Sequence, residues 1–245
     1  MTDTMLVMLH GWGTPPAVWR EVIARLPLGV SLWAPDWYAP DFDGADTVDA
    51  LADRLAALAP AQCAVAGWSL GGQIALAWAE RYPAQVSRVA VLNTTAKFVR
   101  DDEWVHGLLP ADVATFEAAL RADTEGLLRR FALLQSQNDA VARKVVRDLR
   151  DLWREQSKPA AASLQRSLCW LLQGDLRDRL PAIRQPALVI HGLRDTLVPA
   201  AAGRHLVDTL PRAEWQPLAQ TAHVPLLGCP DAVADLLTGF FGAQR

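Results

Sequence analysis

The chemistry open to this chain is set by three residue types in a fixed order: a serine, then an acid, then a histidine. The serine lies in Gly67-Trp68-Ser69-Leu70-Gly71-Gly72. The apolar run at 62–66 reads as a buried strand, and 73–79 consists mostly of strong helix formers. Gly-x-Ser-x-Gly between a strand and a helix makes the chain turn within a few residues, straining the serine backbone and raising its hydroxyl. Gly67 and Gly71 are needed because a side chain at either would strike the neighbouring strand or helix, and Gly72 lets the helix pack closely. A serine hydroxyl is a weak nucleophile until a base takes its proton, so the turn calls for a histidine and a group that orients it.

After such a turn the partners follow in the order acid, then histidine. Asp195, in His191-Gly192-Leu193-Arg194-Asp195, lies just beyond an apolar strand, and His223, in Ala222-His223-Val224-Pro225, lies beyond the last short one. The chain between them suffices for one helix, one strand and two loops, so all three groups can meet at one sheet edge. Asp36, also just past a strand, is a competing acid. Among the five histidines, His10 and His191 each precede a glycine at a strand end and read as turn-shaping residues. His205 falls in a surface helix and His106 in a helical region, which leaves His223 as the base.

A tetrahedral intermediate needs two preorganised N–H donors. Leu70, directly after the serine, supplies one, and Trp12 in Gly11-Trp12-Gly13 supplies the other from the loop after the first strand. The side chains of Trp12 and Trp68 flank the serine, either as walls of an apolar acyl slot or as ordinary core aromatics. Gly11-x-Gly13 lacks the third glycine of a dinucleotide fingerprint, and the chain carries no phosphate loop and no metal-ligand spacing, so the reading calls for no cofactor and no metal.

The elements that must position these groups alternate. Strands are expected at 5–9, 30–34, 62–66, 87–93, 187–191 and 213–217. Helices are expected around 19–26, after Thr47 as N-cap, after Ser69, at 201–210, and over the stripe of Val233, Leu236, Leu237, Phe240 and Phe241. Alternation of this kind implies an α/β fold, a mostly parallel sheet of about six strands with helices on both faces. Between 96 and 175 only helices are expected, near 111–122, 125–135, 140–155 and 160–173. They read as a cap inserted over the C-terminal edge of the sheet, dividing the chain into a core (1–95 and 176–245) and a cap (96–175).

Bulk properties narrow the partners. The chain has 245 residues, 51% of them hydrophobic, which is enough for one substantial core. A net charge of −3 gives no general pull toward nucleic acid or an anionic membrane. Three widely spaced cysteines suggest neither disulfides nor zinc, and no signal peptide or membrane span is evident, so a cytoplasmic monomer is expected. Arg143, Arg147, Arg150 and Arg154 share one helix face, which suits either an acidic protein partner or plain solvent, with Asp148 and Asp151 nearby.

With these features in place the chain resembles the α/β-hydrolase superfamily over nearly its full length. Within it, the chain is similar to the carboxylesterases of biotin synthesis that act on pimeloyl-acyl carrier protein methyl ester. That likeness rests on His10-Gly11-Trp12-Gly13, the hexad around Ser69, Asp102-Glu103-Trp104, Arg130-Phe131 with Leu134-Gln135, Asp195-x-Leu197-Val198-Pro199 and Ala222-His223. The resemblance implies Ser69, Asp195 and His223 as triad, Trp12 and Leu70 as oxyanion hole, and Phe131 along the acyl channel. It implies Arg130, Arg143 and Arg147 as contacts for an acidic acyl carrier protein. Two departures stand out. The chain starts almost at its first buried strand, without the N-terminal hairpin usual in the superfamily, and Trp37-Tyr38-Ala39-Pro40-Asp41-Phe42 replaces the usual glycine-rich loop after Asp36. A general esterase or thioesterase for small free esters, a slow or non-catalytic ligand receptor, and a cofactor-free peroxidase or lyase are the rival readings on this scaffold.

Overall fold

The computed structural model describes residues 4–27, 29–156 and 159–242. The core is one sheet of six strands, all parallel: β1 (Met5–Leu9), β2 (Leu32–Trp33), β3 (Cys63–Trp68), β4 (Val86–Leu92), β5 (Ala187–Gly192) and β6 (Ala213–Leu218), in the spatial order β2-β1-β3-β4-β5-β6. The order reverses direction around β1 and β3, and such a point in an open parallel sheet is where ligands gather. All of β3 and nearly all of β1 is buried, as continuous apolar runs between two helical layers require.

The crossovers are α1 (Arg20–Ile23), α2 (Val48–Leu58), α3 (Leu70–Arg81) and α8 (Ala200–Thr209); after β6 come α9 (Pro225–Gly228), one short turn, and the C-terminal α10 (Pro230–Gly242). Thr47 caps α2 as expected, its hydroxyl accepting Ala50 N–H at 3.0 Å, while Val48, Leu51 and Leu55 face the core. Two elements are shorter than expected. β2 keeps only two residues, since it is an edge strand that pairs with β1 alone and Pro35 soon follows it. The helix expected over 19–26 splits into a 3₁₀ turn (Pro16–Trp19) and a four-residue α1, because the chain beyond Ile23 continues in i→i+3 turns.

Between β4 and β5 lie four helices: α4 (Pro110–Ala122), α5 (Thr124–Gln135), α6 (Ala142–Glu155) and α7 (Ala161–Gln173). Asp123 caps α5, accepting Gly126 N–H at 2.8 Å. The chain enters and leaves this insert side by side. Lys97 bridges to Asp175, Leu176 N–H donates to Ala96 O at 2.9 Å, and the Lys97 ammonium sits 3.1 Å from the Asp175 carboxylate. Arg177 pairs with the same carboxylate at 2.7 Å, and with Lys97 it holds the Asp175 pKa down to about 2. Among the described residues no helix is long and apolar enough to cross a membrane.

Candidate active site

Ser69 occupies the turn from β3 into α3 with φ 55° and ψ −121°, a conformation that L-residues rarely adopt. The turn survives because nothing bulkier than glycine fits around it. A Cβ on Gly67 would lie 2.1 Å from Gly71 O, and one on Gly71 would lie 2.4 Å from the carbonyls of both Leu9 and His10. Ser69 N–H donates to Leu92 O at 2.9 Å, and Thr94 Oγ1–H donates to Ser69 O at 2.6 Å. The strain, on the order of 1–3 kcal/mol, is thus carried by bonds to β4 and the loop after it.

The residues named from the chain order converge. His223 Nε2 lies 3.0 Å from Ser69 Oγ, and His223 Nδ1 lies 2.7 Å from Asp195 Oδ2. Asp195 is enclosed, and both of its oxygens are occupied. Oδ1 accepts Leu197 N–H and Val198 N–H, each at 2.9 Å, while Oδ2 also accepts Asn93 Nδ2–H at 2.8 Å. Burial pushes this carboxyl up, but the His223 imidazole and the hydrogen bonds outweigh it and hold the pKa below the ordinary carboxylate value. An ionised Asp195 beside Nδ1 selects the tautomer with its proton on Nδ1, leaving Nε2 free to accept from the serine.

Asn93 was not foreseen. It sits at φ 44° just past β4, donates from Nδ2 to Asp195 and to Ala222 O at 3.0 Å, and accepts Gly192 N–H on Oδ1 at 3.3 Å. One side chain therefore ties the acid to the strand and loop that bear the acid and the histidine. The positive φ that asparagine tolerates is its trace in the local chemistry. The histidine loop is tied further: His223 N–H donates to Gln135 O at 3.1 Å, and Ala222 N–H donates to a carboxylate oxygen of Asp139 at 2.7 Å. Trp68, which the sequence leaves open between a wall of the acyl slot and a core aromatic, is wholly buried, and its indole N–H donates to His223 O at 2.7 Å.

The other histidines lie elsewhere. His10 is buried with its ring stacked 3.4 Å from Trp37, and Nδ1 meets Gly11 O at 2.9 Å. Asp36, the competing acid, instead faces His10 at 3.7 Å and accepts Tyr38 N–H at 3.0 Å. His191 Nε2 meets Val198 O at 2.9 Å, and burial lowers its pKa. His106 and His205 stand edge-on to Trp104.

The two expected donors are open. Leu70 N–H is among the orphan amides at the N-terminus of α3, and neither it nor Trp12 N–H has a hydrogen-bond partner among the described residues. The Trp12 indole packs edge-on against Phe116 of α4 (5.2 Å between centroids) and Phe131 of α5 (5.3 Å), an aromatic cluster in which Phe116 is new. Its indole N–H donates to Leu164 O of α7 at 3.0 Å.

Outside, α6 and the end of α5 border a groove of about 820 Å³, with Leu133, Leu134 and Val146 among Arg143, Arg147, Arg150 and Arg154. Arg147 and Arg154 pair with Asp148 and Asp151 on their own helix, while Arg130 is exposed on α5 and does not line the groove. Among the described residues no cluster of three His, Cys, Asp or Glu could hold a metal ion.

Comparison with known proteins matches residues 4–228 to the alpha/beta hydrolase fold family. The pimeloyl-[acyl-carrier protein] methyl ester esterase of Aromatoleum aromaticum is 36% identical over 243 residues, covering 95% of this chain and 96% of that one. That of Xanthomonas campestris pv. campestris is 36% identical over 241 residues, covering 97% and 95%. In fold, the bromoperoxidase of Bacillus anthracis superposes with a TM-score of 0.88 at 17% identity, covering 99% of this chain and 93% of that one.

Proposed function

The chain belongs to the α/β-hydrolase family, and from that premise we propose that it is a serine carboxylesterase acting on the methyl ester of pimeloyl-acyl carrier protein, in biotin synthesis. The observation that carries the reaction type is the hydrogen-bonded series Ser69 Oγ, His223 Nε2, His223 Nδ1, Asp195 Oδ2 at 3.0 and 2.7 Å. The substrate is supported by the names of relatives that span almost the whole chain.

In this reading Ser69 Oγ attacks the ester carbonyl as His223 Nε2 takes its proton. The carbonyl oxygen becomes an oxyanion held by Trp12 and Leu70 N–H, each donor worth roughly 3 kcal/mol in the transition state. Collapse breaks the bond to methanol, which leaves with the proton from Nε2. Water, deprotonated by the same nitrogen, then attacks the acyl-enzyme and releases the free carboxylate and Ser69. Asp195 stays ionised and stabilises the transient imidazolium.

The helices between 96 and 175 act as a cap over the reacting groups. The acyl chain passes the Trp12–Phe131 cluster, and Arg130, Arg143 and Arg147 meet the acidic carrier. The enzyme works in the cytoplasm as a monomer.

The test is hydrolysis of pimeloyl-carrier-protein methyl ester, read by intact mass, beside dimethyl pimelate, a short nitrophenyl ester and the Ser69→Ala variant. Preference for the carrier-bound ester, abolished in Ser69→Ala, supports the proposal. Turnover of the free esters alone would retain the triad and reject the carrier.

A further inference from the structure

The loop that offers Trp12 N–H is buried, so each of its backbone polar groups needs a partner. Gly11 O receives Thr14 Oγ1–H at 3.0 Å and faces His10 Nδ1 at 2.9 Å. Gly13 O receives the indole N–H of Trp153, from α6, at 2.8 Å. Gly13 N–H donates to the phenolic oxygen of Tyr38 at 2.8 Å. Trp12 N–H has no partner among the described residues. The peptide planes on both sides of the Trp12 Cα are therefore anchored, one through Gly11 O and the other through Gly13 N.

The second anchor matters more than its single bond suggests. Gly13 has φ +72°, and a glycine in a turn lets the preceding peptide plane rotate at little steric cost. Tyr38 opposes that rotation from a distant part of the chain. Its own position is set by Asp36, which accepts Tyr38 N–H at 3.0 Å, and by Trp37 stacked on His10. Having accepted from Gly13, the phenol has its proton to give, and Ser167 Oγ on α7 is 3.4 Å away. Ser167 in turn donates to Ser163 O at 2.9 Å. The donors run in one direction, from the loop toward α7, and burial raises the Tyr38 pKa, keeping the phenol protonated.

We propose that Tyr38 is a positioning residue for the oxyanion hole: its hydroxyl holds the Trp12–Gly13 peptide on one side of the Trp12 Cα while Thr14 holds the Gly11–Trp12 peptide that bears the N–H, and the two together keep Trp12 N–H pointed at the developing oxyanion. The assignment rests on the reading of Trp12 N–H as an oxyanion donor to an intermediate on Ser69. Tyr38 belongs to the loop after Asp36, where the chain departs from the usual glycine-rich pattern. The residue changes what holds the hole and leaves the reacting groups themselves unchanged.

Tyr38→Phe removes one oxygen and keeps the ring. The measurements are kcat and KM on a short nitrophenyl ester, the affinity of an aryl trifluoromethyl ketone that adds to the serine as a hemiketal, and the thermal midpoint. The expected result is a kcat about tenfold lower, a ketone affinity lowered by a similar factor, and KM within twofold, because the contact acts on the transition state. A lower thermal midpoint with kcat and ketone affinity unchanged would overturn the proposal, leaving Tyr38 a packing residue. Failure of the unmodified protein to form the ketone adduct or to hydrolyse the ester would instead defeat the serine-esterase reading on which it rests.

Discussion

The C-terminal edge of the sheet and the arginine face of α6 differ in how many alternatives each leaves to its side chains. At the edge, both oxygens of Asp195 are spoken for, Asn93 uses its amide on three partners, and Gly67 and Gly71 have no room for a Cβ. On α6, Arg147 and Arg154 pair with aspartates of their own helix, and both are largely in water. One region is over-determined, as a site that must meet a transition state has to be. The other is a field of adaptable charges, suited to a partner that arrives already folded. In the proposed reading the reaction type lies in the first and the choice of partner in the second.

That contrast can be broken at several points. Asp195→Asn should cost the most, about 10⁴-fold in kcat, because the amide no longer favours the proton on His223 Nδ1. A loss below tenfold in a stopped-flow ester assay would mean that Asp195 does not set the tautomer of the base. Asn93→Ala comes next. It leaves Gly192 N–H without a partner and Asp195 with one bond fewer, costing about 1–3 kcal/mol of stability. We expect a visible fall in denaturation midpoint together with a kcat roughly tenfold lower, as befits a misplaced reacting group. If the midpoint falls while kcat holds, the edge tolerates more slack than its bonding suggests.

Arg143→Glu with Arg147→Glu should raise KM for the carrier-bound ester about tenfold, with the deficit shrinking as salt screens it. An equal rise for a free ester would place those arginines in the general architecture instead. The smallest effect belongs to the base of the insert. The Asp175 pKa is held at about 2 against an ordinary 3.8, so its pairing stabilises the fold above pH 3.8 and is lost as pH falls through about 2. Asp175→Asn should therefore be slightly less stable than the parent at neutral pH and converge with it as pH falls below about 2, read by acid titration of the thermal midpoint.

Much of this molecule was legible in the chain because its signals are local. Glycine spacing around Ser69, an acid past one strand and a histidine past another need no knowledge of distant packing. The insert helices were readable from their apolar faces, with ends within two residues of those observed. Asn93 and Tyr38 were not, because each acts through partners far along the chain: Asp195 for one, Gly13 for the other. Trp68 shows the converse limit. Adjacency to Ser69 left it open between a wall of the acyl slot and a core aromatic; only the packing shows its indole wholly buried, with its N–H on His223 O.

The place where the insert enters has a further consequence, for synthesis. In the finished sheet Val89 lies beside Ala187, so the apolar strand β4 leaves the ribosome long before its neighbour β5. At about 5–20 residues per second, the intervening chain takes on the order of 5–20 s to emerge. Throughout that interval one edge of the most buried part of the sheet has its N–H and C=O groups unpaired, the condition under which nascent strands find wrong partners. Helices α4 to α7 close through local contacts and can form while the edge waits. The point at which the fold admits its insert is thus the point at which its nascent chain is most exposed to aggregation.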